Sequence, residues 1–442
     1  MRERLVRIIV AGGILVGAVP AVAQEPPIDL AEARRAFDAA RAAGQADGGR
    51  LWGVELHGPV FLVDRATRFV VADRADAGGA LEETDGLWTG TLPENLNPAN
   101  SAIEWAGQRW TMVLWPTPSI PHARNWLLLH EMFHRIQDDV GLPAGSPANA
   151  HLDTMDGRIW LRLEMRALAR ALTLEGDARR AAVGDALAFR ERRRGPLPDT
   201  AAEEEDALER NEGMAEYTGL VLGGLPEAVL ADRAAVALEE RESSATPSRA
   251  FAYATGPAYG LLLDAADPGW RRKLVDGASL SALLAEAYDP SATARPVEGR
   301  IEPYGGARLM ALETARESAR QARLAELRAR FLEGPTLRMT PGSEFGYSFD
   351  PNAAFSLGDA GTVYDPVRVT DAWGILEAGE GGALLTRNAE GRITGVVVPV
   401  AADAAEPPTA GEGWTLQLAD GWEIAPGERS GDWVVRPAAA GP

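Results

Sequence analysis

The period of apolar positions changes twice along this chain. Residues 28–44 have helical spacing (Leu30, Ala33, Phe37, Ala40) and end at Gly44. Residues 50–118 read as strands. Leu51 to Leu56 and Val60 to Val63 are β-rich runs parted by His57-Gly58-Pro59. Arg68 to Ala72 follows, and Trp110 to Trp115 closes the region before Pro116. From Pro121 to about Glu333 the spacing is helical. It predicts helices over 122–139, 152–174, 177–194, 200–222, 226–242, 251–265, 278–287 and 305–332, with breaks at glycine and proline such as Gly141-Leu142-Pro143 and Asp267-Pro268-Gly269. From Gly334 short strands return, at 367–370, 373–376, 382–385 and 393–398. Asn388-Ala389-Glu390-Gly391 is the expected hairpin turn between the last two. The fold class expected is α+β. A β-rich region (24–120) forms one unit with a mainly helical region (121–333), and a small β domain (334–442) follows.

The first residues break this pattern. Arg2, Arg4 and Arg7 precede an apolar run from Ile8 to Val19, Pro20 interrupts it, and Ala21-Val22-Ala23 is an A-x-A cleavage signature. The run is short for a membrane span. Residues 1–23 are therefore expected to be an export signal, with a periplasmic or secreted mature chain and no stable membrane insertion.

Composition narrows the chemistry. The 442 residues include no cysteine, so disulfides, thiolate zinc sites and cysteine nucleophiles are excluded, and any metal must be held by His, Asp and Glu. A formal net charge of -20 disfavours a sequence-independent nucleic-acid binder, which needs a basic field. Arg190-Glu191-Arg192-Arg193-Arg194 is basic, but Glu203-Glu204-Glu205-Asp206 follows closely. Pairing between neighbouring helices accounts for both without a partner. Neither a phosphate loop nor a G-x-S-x-G elbow is present.

The informative segment is His130-Glu131-Met132-Phe133-His134, an H-E-x-x-H pattern in a predicted helix. Residues four apart share a helix face, so both imidazoles can reach one metal, with Glu131 beside it to hold a water. Catalytic zinc takes three protein ligands. The extended H-E-x-x-H-x-x-G-x-x-H form is absent, since Gln137 and Val140 occupy the later places. The third ligand must come from elsewhere. The residues leave Glu212, Glu164, and His151 or Asp153 open.

H-E-M-F-H followed by Glu212-Gly213-Met214-Ala215-Glu216-Tyr217 resembles the gluzincin branch of zinc metallopeptidases, the broad thermolysin-like group. The resemblance implies a zincin-like catalytic region and one Zn²⁺. It implies Glu212 as third ligand and Glu216 as the carboxylate supporting a ligand histidine, a pairing that a one-turn separation permits. In that group a Tyr or His from a later helix often stabilises the transition state. Tyr253 and Tyr259 are candidates here, and His151 is a further one. By the same analogy, Trp110–Trp115 is a candidate sheet edge for an extended substrate, with a plain core strand as the equal alternative. The expected function is zinc-dependent cleavage of a peptide or protein substrate. The alternatives are a non-catalytic exported binding protein on a similar scaffold and a zinc hydrolase of non-peptide amides.

Overall fold

The computed structural model describes residues 26–244, 246–289, 296–349, 354–388 and 392–438. The expected export signal, and Ala389 to Gly391 of the expected hairpin turn, lie outside them. The fold is mixed α/β with a C-terminal β region. The chain divides into two compact units, Met1–Ala307 and Arg308–Pro442. No helix among the described residues is long and apolar enough to cross a membrane.

The first unit opens with α1 (Leu30–Asp47), which buries Ala33, Phe37 and Ala40. A six-stranded sheet follows, made of β1 (Val60–Asp64), β2 (Phe69–Ala72), β3 (Glu82–Thr84), β4 (Leu87–Thr91), β5 (Ser101–Trp105) and β6 (Gln108–Trp115). The order is β3-β4-β2-β1-β6-β5. β1 and β6 run parallel, and every other neighbouring pair is antiparallel. Side chains alternate across a strand, so this sheet buries two faces. Phe61, Val63, Trp105, Trp110 and Met112 form a core on one of them. β6 lies inside the sheet, and β5 is the edge beside it. Trp110–Trp115 is thus the interior strand of the two alternatives, and Ser101–Trp105, which the sequence pattern did not single out, takes the edge position.

Leu51 to Leu56, expected as a strand, has no ladder partner. Its aromatic residue serves the helices instead. Trp52 packs on Phe133, Tyr217 and Trp270, and its indole N–H donates to Thr218 Oγ1 at 2.9 Å. A β-rich composition describes a half-buried surface, and tertiary packing chose a turn here.

The helices follow the sequence pattern closely. α2 (Pro121–Val140) lies against β5 and β6. Pro121 at its first turn costs no hydrogen bond, and Gly141 ends it at φ 89°, where only glycine is unstrained. α3 (Met155–Thr173), α4 (Gly176–Arg194), α5 (Asp199–Leu208), α6 (Met214–Leu222), α7 (Glu227–Glu242), the single turn α8 (Pro247–Ala250), α9 (Ala252–Ala266), α10 (Trp270–Val275) and α11 (Leu280–Tyr288) complete the unit. Between α5 and α6, Glu209–Gly213 forms a π-helical turn.

The second unit carries α12 (Gly306–Arg328) from Arg308 onward and twelve described strands. They form a seven-stranded and a five-stranded sheet that share a core containing Leu337, Val396, Val398, Leu376, Trp373 and Trp414. The division places α12, assigned from sequence to the helical region, with the β unit. Leu327 and Phe331, at and just beyond its end, pack with Val363, Leu384 and Val397.

Candidate metal centre and cleft

Two close helix crossings assemble the site. α6 meets α2 through Gly219, where an added Cβ would lie 2.3 Å from Trp126 Cδ1. The π turn meets α9 through Gly213 and Gly256, where a Cβ on Gly256 would fall 2.3 Å from Gly213 Cα. Glycine at both crossings lets the backbones approach. α2 then presents His130 and His134, the π turn presents Glu212, α6 presents Glu216, and the first turn of α9 presents Tyr253. All five line one cleft of about 690 Å³.

His130 Nε2 and His134 Nε2 lie 3.2 Å apart, and Glu212 Oε2 lies 3.5 Å from each. These are the one group of His, Asp and Glu among the described residues whose ligand atoms converge as a metal site requires. A tetrahedral zinc with bonds near 2.0–2.1 Å needs neighbouring ligand atoms about 3.3–3.4 Å apart, so this triangle fits the ion. The remaining ring nitrogens are occupied. His130 Nδ1 meets Glu216 Oε2 at 2.9 Å, and His134 Nδ1 meets Gln137 Oε1 at 2.9 Å. With each Nδ1–H donating outward, both Nε2 lone pairs face the same point as the Glu212 carboxylate. In that tautomer three acceptor atoms face one point, the arrangement a metal site requires; without an ion, protons on the imidazoles are shared with Glu212 instead.

The titration directions report the same field. Burial disfavours charge on His130, yet hydrogen bonds to Glu212 and Glu216 outweigh it and push the pKa up to about 10. Burial alone would raise Glu212, but its hydrogen bonds to the two histidines hold it well below the usual carboxylate range. Burial raises Glu131, with His130 and His134 opposing. Tyr253 is pushed well above its ordinary value, first by burial and then by the Glu212 charge. Its ring stacks on His130 with centroids 5.9 Å apart and planes 4° from parallel.

No family model, curated protein or solved structure matches this chain. The site therefore rests on its own geometry.

The other sequence candidates fall elsewhere. Glu164 is fully buried and bound by Arg190 Nε at 2.8 Å, Arg193 Nη1 at 2.6 Å and the Tyr259 hydroxyl at 2.9 Å. Tyr259 is thus not brought to the cluster with Tyr253. Its hydroxyl donates within a buried arginine–glutamate network, and its ring lies under the Arg190 guanidinium. His151 meets Glu205 at 2.8 Å, and Asp153 accepts from Ser248 at 3.0 Å. None of these lines the cleft. The expected pairing of the two charge runs is present: Arg193 and Arg194 both reach Glu205, and Arg194 reaches Asp206.

Sequence reading missed several cleft residues: the edge positions Asn100, Ser101 and Ala102, and Arg233 and Arg241 of α7. The edge strand has no usable period. The arginines recur on one helix face, but nothing in the pattern says what that face meets.

Proposed function

We propose that the protein is an exported zinc metallohydrolase of gluzincin type that cleaves peptide bonds. The observation carrying this is the triangle of His130 Nε2, His134 Nε2 and Glu212 Oε2, with sides of 3.2, 3.5 and 3.5 Å, beside a buried Glu131 in an open cleft. His130, His134 and Glu212 would hold the ion. When bound there, zinc supplies a Lewis acid that polarises the scissile carbonyl and makes water a nucleophile near neutral pH.

The chain's own groups do the rest. Glu131 takes a proton from the attacking water and passes it to the leaving amine, and its raised pKa suits both transfers. Glu216 and Gln137 hold the imidazoles in the tautomer that leaves each Nε2 free. Tyr253, kept protonated, is the donor for charge developing on the carbonyl oxygen. β5 has one unpaired edge, and Ser101 and Ala102 line the cleft, so an extended peptide binds by adding a strand there. An intact Glu131 in the cleft favours this reading over a purely structural metal site, which needs no base.

The test is metal analysis of the dialysed protein together with Glu131→Gln. The expected result is about one zinc per chain in both. Peptide cleavage should fall by about 10²–10⁴-fold in the variant. Absence of zinc in the folded parent sinks the metal site, and undiminished cleavage by the variant sinks the assigned base.

A further inference from the structure

The cleft has a wall that the hydrolytic reading does not use. Arg233 and Arg241 of α7 both line it. Eight residues apart, they share a helix face. Arg241 lies over the Tyr253 ring at 5.2 Å, and Tyr253 in turn stacks on His130. Arg233 lies over the Trp126 ring at 5.5 Å, and Trp126 is one turn before His130 on α2. Both guanidinium groups therefore flank the His130 side of the cluster.

The charges facing them are accounted for. Glu212 and Glu216 are turned to the histidines. Arg109, also in the cleft, meets Asp138 at 3.2 Å and Glu104 at 3.9 Å. Arg233 meets Glu240 at 3.3 Å in an exposed pair, the kind that holds weakly in water. No carboxylate among the described residues pairs with Arg241. In a chain of formal net charge -20, two cations held on aromatic rings and left to face a cleft are out of character with the surface. A ring-stacked guanidinium is pre-ordered, and its fork matches a carboxylate in two parallel hydrogen bonds.

We propose that the cleft selects peptides carrying a carboxylate close to the site at His130, with Arg241 as the main contact and Arg233 as the outer one. That this carboxylate flanks the bond cleaved rests on the function proposed above; its recognition rests on the arginines alone. The carboxylate is an acidic side chain or the C terminus of the peptide.

Fluorescein-labelled octapeptides of one sequence, carrying paired Glu, Gln or Lys and ending as free acid or amide, are titrated into the whole Glu131→Gln protein. The same titration on the unsubstituted chain covers a misfolded variant. The Glu peptide should bind about tenfold tighter than the Gln peptide, with Lys weakest. Arg241→Gln should abolish the difference, and Arg241→Glu should invert it. If amidation alone removes the preference, the carboxylate is the C terminus. If side-chain identity alone sets it, the carboxylate is a side chain. Equal binding of all the peptides overturns the proposal, as does a preference that survives Arg241→Gln and Arg233→Gln together. The unsubstituted, zinc-loaded protein is then assayed for cleavage of the same peptides. Preferential binding without cleavage upholds carboxylate recognition and overturns only the hydrolytic reading.

Discussion

One helical stretch, from α5 through the π turn into α6, supplies glutamates to two clusters of opposite character. Glu205 and Glu209 enter a buried network. Arg190 holds Glu209 through both carboxylate oxygens and Glu164 at 2.8 Å, Arg193 bridges Glu164 and Glu205, and Thr255 donates to Glu209 at 2.6 Å. Glu212 and Glu216 enter the cleft, where they meet histidines and no arginine among the described residues bonds them. In the first cluster every carboxylate has a cation supplied by the chain. In the second the chain supplies no guanidinium among the described residues, and the carboxylates meet groups that can each release a proton or the bond: two imidazoles, the Tyr253 hydroxyl and the Asn211 amide. A buried charge that the fold neutralises with a fixed guanidinium is structural; a set held by groups that can lose their protons is the one the proposed function assigns to a metal.

The comparison can be broken at either cluster. The largest effect is expected from Arg190→Met. It leaves Glu209 with Thr255 alone, and an orphaned buried charge should cost about 3–5 kcal/mol in urea unfolding of the metal-free protein. A loss under about 1 kcal/mol would mean the network is not what neutralises Glu209.

The two clusters should also respond to pH with opposite sign. Burial works to raise the Glu205 pKa, but Arg193 and its hydrogen bonds win and hold it well below its ordinary 4.5. A depressed carboxylate contributes stability above that unfolded value, and the contribution is lost as pH falls through the folded one. His130 in the metal-free chain is raised from 6.5 to about 10, so its contribution is complete below pH 6.5 and disappears as pH climbs toward 10. Melting curves of metal-free protein should show instability on the alkaline side that added zinc repairs, and instability on the acid side that it does not. Zinc repair on the acid side alone would reverse the assignment.

Glu216→Gln sharpens the comparison by touching only the support of a ligand. It should weaken zinc binding by about 10–100-fold, read by chelator competition, with little change in the fold. Unchanged affinity would remove Glu216 from the site.

The smallest effects come from the two tyrosines. Tyr259→Phe removes a donor to buried Glu164 and should cost about 1–3 kcal/mol of stability, with zinc content intact. Tyr253→Phe should leave stability nearly unchanged and lower peptide turnover. The reverse pattern would exchange their roles.

The H-E-x-x-H pair was legible because its geometry is local. A helix of 3.6 residues per turn puts His130 and His134 on one face whatever surrounds them. Helix limits were legible for the same reason: Pro121 and Gly141 mark α2, and the other expected helices lie within a few residues of their spans, while the short α8 and α10 and the π turn inside 200–222 were not anticipated. Glu212 was only partly legible: the residues left it beside Glu164, His151 and Asp153, and the gluzincin resemblance singled it out. The π turn decides, because its wider winding leaves Glu209 in the arginine network and puts Glu212 at the histidines.

What sequence alone determined, then, is local: the helices, the histidine pair with its neighbouring Glu131, the absence of any thiolate ligand, and the strand-rich composition after Gly334. What only tertiary structure decided is which distant segments meet. Tyr253 and Tyr259 sit six residues apart on α9 with the same side-chain chemistry, yet one stacks on His130 and the other donates to Glu164. The edge position belongs to Ser101–Trp105 because strand order in a sheet depends on pairing across the chain, which no short run encodes. Arg233 and Arg241 carried no functional reading in the sequence, and only the placement of α7 shows that they line the cleft. In each case the residue's own chemistry was readable from the chain, while its partner was fixed by contacts far away in sequence.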